Sequence, residues 1–281
     1  MNQEFLTVPE LAELLRIKER KVYDLAASGL VPCTRATGKL LFPQTDIRAW
    51  IAQSQSGHRK PRPNVFLGSQ DPLLEWALRQ SQCGIATFLD GSGDGLERLA
   101  GGEGIATGLH IRNPQGDGWN TEAVRGGFTN ENVVLLSWAE RTRGFVSNSA
   151  VAKLTDLPGC KVAGRQHGSG THRLFEHMAA EAGVTNMEMV GPYHSEQDAV
   201  LAVVDGHADV AFGLENMATQ FGLVFAPLVT ETFDLLVDRG AYFDAPFQRF
   251  LAFCRSTTFV DHARQMRGYN VSGLGEVRWN A

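Results

Sequence analysis

No stretch of this sequence comes near the roughly 20 consecutive apolar residues that a membrane-spanning helix needs. The N-terminal segment lacks the basic region, apolar core and small-residue cleavage site of a signal peptide, so none is expected. Cysteine is scarce. Cys33, Cys83, Cys160 and Cys254 are scattered through 281 residues with no CxxC pair, which speaks against a disulfide frame or a cysteine zinc site. They read as separate, reduced thiols of a cytoplasmic protein. Several catalytic and cofactor signatures are also missing. No lysine followed by serine or threonine completes a P-loop after the glycines near 168–170, Leu96 stands where a dinucleotide fingerprint needs its third glycine, and GxSxG does not occur. His172 and Glu176 share a helix face at i,i+4, but no third ligand accompanies them, so no metal or cofactor is expected. With no catalytic constellation, an enzyme is not expected either.

What is present is unevenly charged. Residues 1–62 hold ten Lys/Arg against six Asp/Glu, and the remaining 219 hold sixteen against twenty-five. The head is therefore net +4 and the body net −9, and only the head suits a polyanion such as nucleic acid. Residues 54–63 are polar and basic, with Gly57, Pro61 and Pro63, and read as a linker. Before them the pattern is helical (residues 1–53). After them (64–281), short apolar runs at 65–67, 84–89, 105–109, 133–137, 162–164, 187–190, 210–212 and 232–237 alternate with helix-period segments. That alternation predicts an α/β body with a mainly parallel sheet.

In the head, Thr7 and Glu10 fit a capping box, followed by Val8, Leu11, Ala12 and Leu15 on one helix face. A break at Arg16-Ile17 leads to a second helix over 18–28 with Val22, Leu25 and Ala26 inward. Its other face offers Lys18, Arg20, Lys21 and Tyr23 to phosphates and base edges. Residues 31–42 read as a hairpin wing carrying Arg35 and Lys39, and 44–53 as a closing helix with Ile47, Trp50 and Ile51 inward. Over about 48 residues this arrangement resembles the excisionase/MerR-like winged helix-turn-helix family, which implies binding to double-stranded DNA. That family places a serine or threonine cap and a central basic residue in its recognition helix, where this chain has Lys18 and Asp24.

The body repeats one design three times: an apolar strand, a Gly/Ser turn, then a helix. The turns carry Ser69 with Gln70, Ser92 with Gly93, and Ser169 with Gly170 and Thr171, the last preceded by Arg165. A helix start offers free backbone N–H groups and partial positive charge, glycine allows close approach, and a hydroxyl adds a donor. Three such loops point to a small anion held by neutral donors. Tyr193 and His194, after a predicted strand, are further candidates to line the cleft. The segments RQHGSGTHRLF, GPYHSEQDAVLAVVDGHADVAFGLENMA and RGYNVSGLGEV are similar to the periplasmic-binding-protein-like domain often found behind such heads. The resemblance covers most of 64–278. It implies a type II fold with two α/β lobes around a ligand cleft, and molybdate or tungstate as ligand. His172, Gln70 and Gln197 depart from that family's pattern. Molybdate and tungstate carry no proton at neutral pH and need only donors. Phosphate keeps a proton part of the time and gains from an acceptor, so the directions of Asp71 and Asp94 bear on the ligand.

Together these features lead us to expect a cytoplasmic, homodimeric transcription regulator that senses a small oxyanion. Lobe 1 would comprise 64–140 with 228–281 and lobe 2 141–227, joined by crossovers near 141–146 and 227–230. The alternatives are a non-regulatory protein that binds or delivers an oxyanion or molybdenum cofactor, and an enzyme acting on a small anionic substrate.

Overall fold

The computed structural model describes residues 4–35, 38–53, 61–114, 118–129, 131–149 and 151–281. The chain divides into two compact units, Met1–Pro61 and Arg62–Ala281. Most of the predicted linker, 54–60, and the hairpin positions Ala36 and Thr37 lie outside the described residues. Arg62, expected in the linker, is instead anchored in the body. Its guanidinium donates to the carbonyls of Leu99 and Gly104 and pairs with Asp238 at 3.2 Å.

The head comprises β1 (Phe5–Leu6), α1 (Val8–Leu15), α2 (Glu19–Ala27), β2 (Phe42–Pro43) and α3 (Gln44–Gln53). Thr7 and Glu10 form the expected capping box. Arg16 ends α1 in the left-handed region at φ 53°, a conformation that favours glycine. Leu11, Val22, Phe42 and Ile47 make a small common core. The expected 31–42 hairpin is reduced to one bridge, Thr34 to Leu41. The residues after it pair with the N-terminus instead, since β1 and β2 form an antiparallel ladder.

The body runs β3 (Val65–Gly68), α4 (Pro72–Gln80), β4 (Ala86–Phe88), α5 (Ser92–Ala100), β5 (Ala106–Leu109), α6 (Thr121–Phe128) and β6 (Val133–Ser147). Then follow β7 (Lys161–Arg165), α7 (Gly170–Glu181), β8 (Glu188–Tyr193), α8 (Glu196–Val204), β9 (Val210–Leu214), α9 (Glu215–Phe221) and β10 (Val224–Asp238). It closes with α10 (Arg239–Phe243), α11 (Ala245–Cys254), α12 (Thr257–Gln265), β11 (Tyr269–Asn270) and β12 (Val277–Asn280). The strands form one sheet in the order β4-β3-β5-β10-β6-β9-β7-β8, with β11 and β12 also on β6.

This sheet is mixed, not mainly parallel. The outer strands of each lobe pair in parallel, but β6 and β10 form a long antiparallel ribbon between them. The predicted crossovers at 141–146 and 227–230 are interior segments of that ribbon, with Arg141 opposite Glu231 in register. Each lobe buries one apolar cluster on either sheet face. Phe66, Leu74, Trp138 and Phe250 face Leu67, Leu99 and Val124 in lobe 1. Val200, Leu214 and Met217 face Phe145, Phe175 and Val210 in lobe 2.

Charged residues run through the ribbon nonetheless, as an unbroken alternation of Asp71, Arg141, Glu231, Arg143, Glu196 and Arg165. Arg141 meets Asp71 at 2.8 Å and also contacts Glu231, and Arg143 lies 3.0 Å from both Glu231 and Glu196. Arg165 closes the row at 3.2 Å from Glu196. The Asp71 carboxylate further accepts from Leu74 N, Trp138 Nε1 and Tyr269 Oη. Buried ions persist only where paired and hydrogen-bonded. Burial alone would raise the Glu231 carboxyl, but Arg141 and Arg143 hold it well below the usual range.

Glu231→Gln leaves two buried guanidiniums short of their shared carboxylate, and should lower unfolding free energy by about 3 kcal/mol or more. Disrupting the exposed Arg264–Asp261 pair by Arg264→Ala should cost under about 0.5 kcal/mol in the same denaturant series. Asp234, buried on β10, behaves in the opposite sense. Burial pushes its carboxyl up from 3.8 to about 6, against the Asn120 hydrogen bond and Arg278. The folded protein thus binds this proton more readily than the unfolded chain, so its contribution to stability falls as pH rises from 3.8 to about 6. Asp234→Asn should remove that loss: the stability difference from the parent protein should favour the variant at pH 7 and shrink towards pH 4.

Candidate functional site

Five chain segments leave the C-terminal ends of β3, β4, β5, β7 and β8 at one place between the lobes, the position where open α/β sheets collect ligands. Packing sets the geometry there. Gly95 on α5 lies so close to β3 that a Cβ on it would fall 2.3 Å from Gly68 Cα. That close approach brings the first turn of α5 against the β3–α4 loop, and Ser92 Oγ sits 2.6 Å from Ser69 Oγ. From the other lobe, α7 starts at Ser169, which caps it by accepting from His172 N at 3.1 Å. A Cβ on Gly91 would be 3.6 Å from Ser169 Cα, and one on Gly170 would be 2.8 Å from the His110 ring.

The hydroxyl protons can be counted. Ser69 and Ser92 share two, one of which is used between them, and Ser92 Oγ also accepts from His110 N. One proton from the pair remains to be donated. Ser169 accepts at its cap and keeps its own proton. Thr171 donates its proton to Glu196 at 3.0 Å.

The cleft wall behind these hydroxyls is charge-balanced. Glu196 lines the cavity but is engaged by Arg143, Arg165 and Thr171, and despite burial the two arginines hold its carboxyl below the usual range. Burial also lowers His110, against the pull of Glu231, so its imidazole is neutral. With Nδ1 2.9 Å from the Glu231 carboxylate, the ring carries its proton there and its Nε2 is an acceptor. Asp71 and Asp94 do not serve the cleft. The oxygens of Asp71 are taken in the ion row, and Asp94 pairs with Arg98 at 2.9 Å.

The sequence candidates fall into distinct places. Ser69, Gln70, Arg165, Ser169, Thr171 and His194 line one small cavity, together with His110 and Glu196. It holds about 10 Å³, the room of a single water. Ser92 adjoins it through Ser69, whereas Ser92, Gly93 and Gly170 line a neighbouring, larger space. Arg165 is committed to structure as well as to the cavity, donating to the carbonyls of Tyr193 and His194 at 3.2 and 2.8 Å. Tyr193 is half-buried and packs against the Val200 cluster, contributing its carbonyl and not its ring. The latch Gln166 Nε2 to Asp90, at 3.0 Å, joins the lobes at the solvent edge. Sequence reasoning missed His110 and Glu231. Their partnership spans 121 positions, and nothing local to either one signals it.

In the head, Val22 is the buried anchor of α2, while Lys18, Arg20, Lys21 and Tyr23 are exposed. Arg35 and Lys39, on either side of the reduced hairpin, are exposed too. Among the described residues none of these five cations forms an ion pair, so their charge is free for a partner. His167, His172 and Glu176 are neighbours at the start of α7, yet no described cluster has three residues placed to hold a metal. No helix of the described chain is long and apolar enough to cross a membrane.

Comparison with known proteins gives both units a family. Residues 75–255 match the PBP superfamily domain, and residues 5–55 match a helix-turn-helix domain. The chain is 24% identical over 261 residues to a protein of Bacillus subtilis (strain 168) named "Uncharacterized protein YvgK", covering 82% of this chain and 84% of that one. Among solved structures it is similar to the GluR0 ligand-binding core from Nostoc punctiforme in complex with (L)-glutamate. There the identity is 16%, with 73% of this chain and 100% of that chain covered and a TM-score of 0.46. It is also similar to a histidine kinase sensor domain with similarity to periplasmic binding proteins, at 18% identity, 74% and 97% coverage and a TM-score of 0.46. The two families point to DNA binding by the head and small-molecule binding by the body. This chain belongs to the PBP superfamily and carries a helix-turn-helix domain at its N-terminal end.

Proposed function

We propose that this protein is a cytoplasmic one-component transcription regulator, in which the head binds double-stranded DNA and the body senses a small oxyanion. The observation that carries the ligand reading is the meeting of two helix starts, at Ser92 and Ser169, with Ser69 of the β3–α4 loop in front of a charge-balanced wall. A net-negative body can hold an anion there because its nearest carboxylates are neutralised by their own arginines and the donors facing the cleft are hydroxyls and backbone N–H groups. Molybdate and tungstate, tetrahedral dianions with no proton to place, suit such a donor set once the lobes part to admit an ion larger than the single water the cavity now holds. Hydrogen phosphate is the second reading, favoured by the acceptor Nε2 of His110.

Regulation would follow from closure. An anion that binds both lobes stabilises the closed arrangement over the open one, and in a homodimer that difference changes how the heads are presented to paired half-sites. Phosphate contacts by Lys18, Arg20, Lys21, Arg35 and Lys39 would hold the head on the duplex, with Tyr23 and the α2 cations nearest the base edges.

Two measurements test these halves separately. Calorimetric titration should show molybdate or tungstate binding more tightly than sulfate, and Ser169→Ala should weaken it about tenfold, a loss typical of a hydrogen bond to a charged group. Phosphate binding above molybdate, and weakened by His110→Ala, would select the second reading. Mobility-shift titration against the promoter region of the protein's own gene should show binding that falls steeply with salt. Lys21→Ala should weaken it and reduce the log–log salt slope by about one. Salt-insensitive behaviour, or no shift at all, would make the head a protein adaptor.

A further inference from the structure

Beside the serine cluster a second, much larger space opens between the two lobes. It measures about 480 Å³, within the range of small-molecule sites. Ser92 and Gly170 stand at its inner end, while their neighbours Gly91 and Ser169 line the small cavity. The chamber therefore begins where the hydroxyls end. Glycine at 93, 168 and 170 keeps that junction free of side chains.

The chamber walls carry unneutralised positive charge. Arg112 enters from lobe 1 and Arg173 from lobe 2, and a guanidinium nitrogen of Arg173 reaches across to within 3.9 Å of a Cβ placed on Gly93. Among the described residues neither arginine has an ion pair or a side-chain hydrogen bond. The contrast with Arg141, Arg143 and Arg165, each matched to a carboxylate, is sharp. Glu122 is the one carboxylate among the described lining residues, and it pairs with neither arginine. His177 also lines the chamber but is matched by Glu181 at 3.2 Å. Ile111 and Leu174 add apolar wall. The loop bearing Arg112 is pinned by Asn120, which accepts from Ile111 N at 2.6 Å and donates to Asp234 at 2.7 Å.

A bare ion at the serines would leave this space to water, and Arg112 and Arg173 without a partner among the described residues. We propose that the ligand is an organic oxyanion: an oxyanion head held by Ser69, Ser92 and Ser169, joined to a carbon body that carries a second negative group between Arg112 and Arg173. This rests on the reading that the serine cluster binds an oxyanion, and it adds what the head is attached to. A group bridging Arg112 and Arg173 contacts both lobes, so the second charge contributes to closure as well as to affinity. Guanidinium groups suit that task because they bind carboxylate and phosphate through two parallel hydrogen bonds.

The test is calorimetry on the full chain with bare ions (molybdate and inorganic phosphate) and with two-headed probes (2-phosphoglycolate, 3-phosphoglycerate and sulfoacetate). At least one two-headed probe should bind about tenfold or more tightly than either bare ion, as expected of an added charge-assisted contact. Arg173→Met should collapse that ratio to within about threefold, since it removes a bidentate partner, and Arg264→Met on the far surface should leave it intact. Bare ions binding as tightly as every two-headed probe would overturn the proposal while leaving the oxyanion reading standing. So would a ratio that Arg173→Met does not change. Silence from all five probes would overturn both.

Discussion

Glu231 and the two arginines it shares are the contact on which the body depends. Arg141 and Arg143 lie on the same strand, two residues apart, and Glu231 faces them from β10. Arg141 continues to Asp71 at the start of α4 in lobe 1, and Arg143 continues to Glu196 at the start of α8 in lobe 2. Each lobe is therefore hooked to the ribbon by one guanidinium, and the shared carboxylate ties the hooks together. The same row sets the electrostatics of the cleft. Three carboxylates meet three guanidiniums, and His110, held neutral by burial, adds no charge. A wall so balanced neither repels an anion nor captures one indiscriminately. Selection passes to the hydroxyls, of which the Ser69–Ser92 pair and Ser169 each keep one proton to donate.

That hooking also limits where the lobes can pivot. The row is fully desolvated from Asp71 through Arg141 and Glu231 to Arg143, and separating those ions would leave unpaired charge at a cost of several kcal/mol. A hinge must therefore leave the Arg141–Glu231 level intact. The ladder is weaker just beyond it, where the register shifts between Pro227 and Val229 opposite Arg143 and Gly144. Proline gives no N–H to the ladder, and a Cβ on Gly144 would meet Ala226 O at 2.0 Å, so the two strands lie unusually close there with no side chain between them. The contacts that close the cleft are of another kind. Gln166 to Asp90 is a hydrogen bond at the solvent edge, and the Gly170–His110 contact is van der Waals packing. A strong level beside a bulge, with weak latches at the mouth, is the energy pattern of a two-state element that a ligand can bias.

Much of this was legible locally. The Thr7–Glu10 box, the α3 span, the exposed cations of α2 and the Gly/Ser helix starts at Ser92 and Ser169 are read from neighbours in sequence, and their physics is local. What escaped was carried by long-range pairing. The strand read as ending at 137 continues to Ser147, because Glu140, Arg141 and Arg143 break an apolar run that the fold does not break. Arg141 and Arg143 are buried only because Glu231 and Glu196 arrive from 90 and 53 positions away. A signal existed in retrospect: alternating cations at 141 and 143 with a lone acid at 231 is what one buried face of an antiparallel pair requires. Reading it needs the pairing first. The parallel-sheet expectation failed for the same reason, since strand-loop-helix units describe each lobe but not the ribbon joining them.

The body also shows that charge count alone misleads about ligand sign. Its net −9 would suggest a cation-binding surface, yet the acidic groups closest to the cleft are the least available ones. Asp71 is spent on four donors, Glu196 on two arginines and a threonine, and Glu231 on two arginines and a histidine. Arg112 and Arg173, by contrast, have no ion pair among the described residues. The potential a ligand meets is set by charges left unpaired within a Debye length of about 8 Å, not by the total. By that measure the space between the lobes, lined by Arg112 and Arg173, can receive an anion although the domain as a whole is acidic.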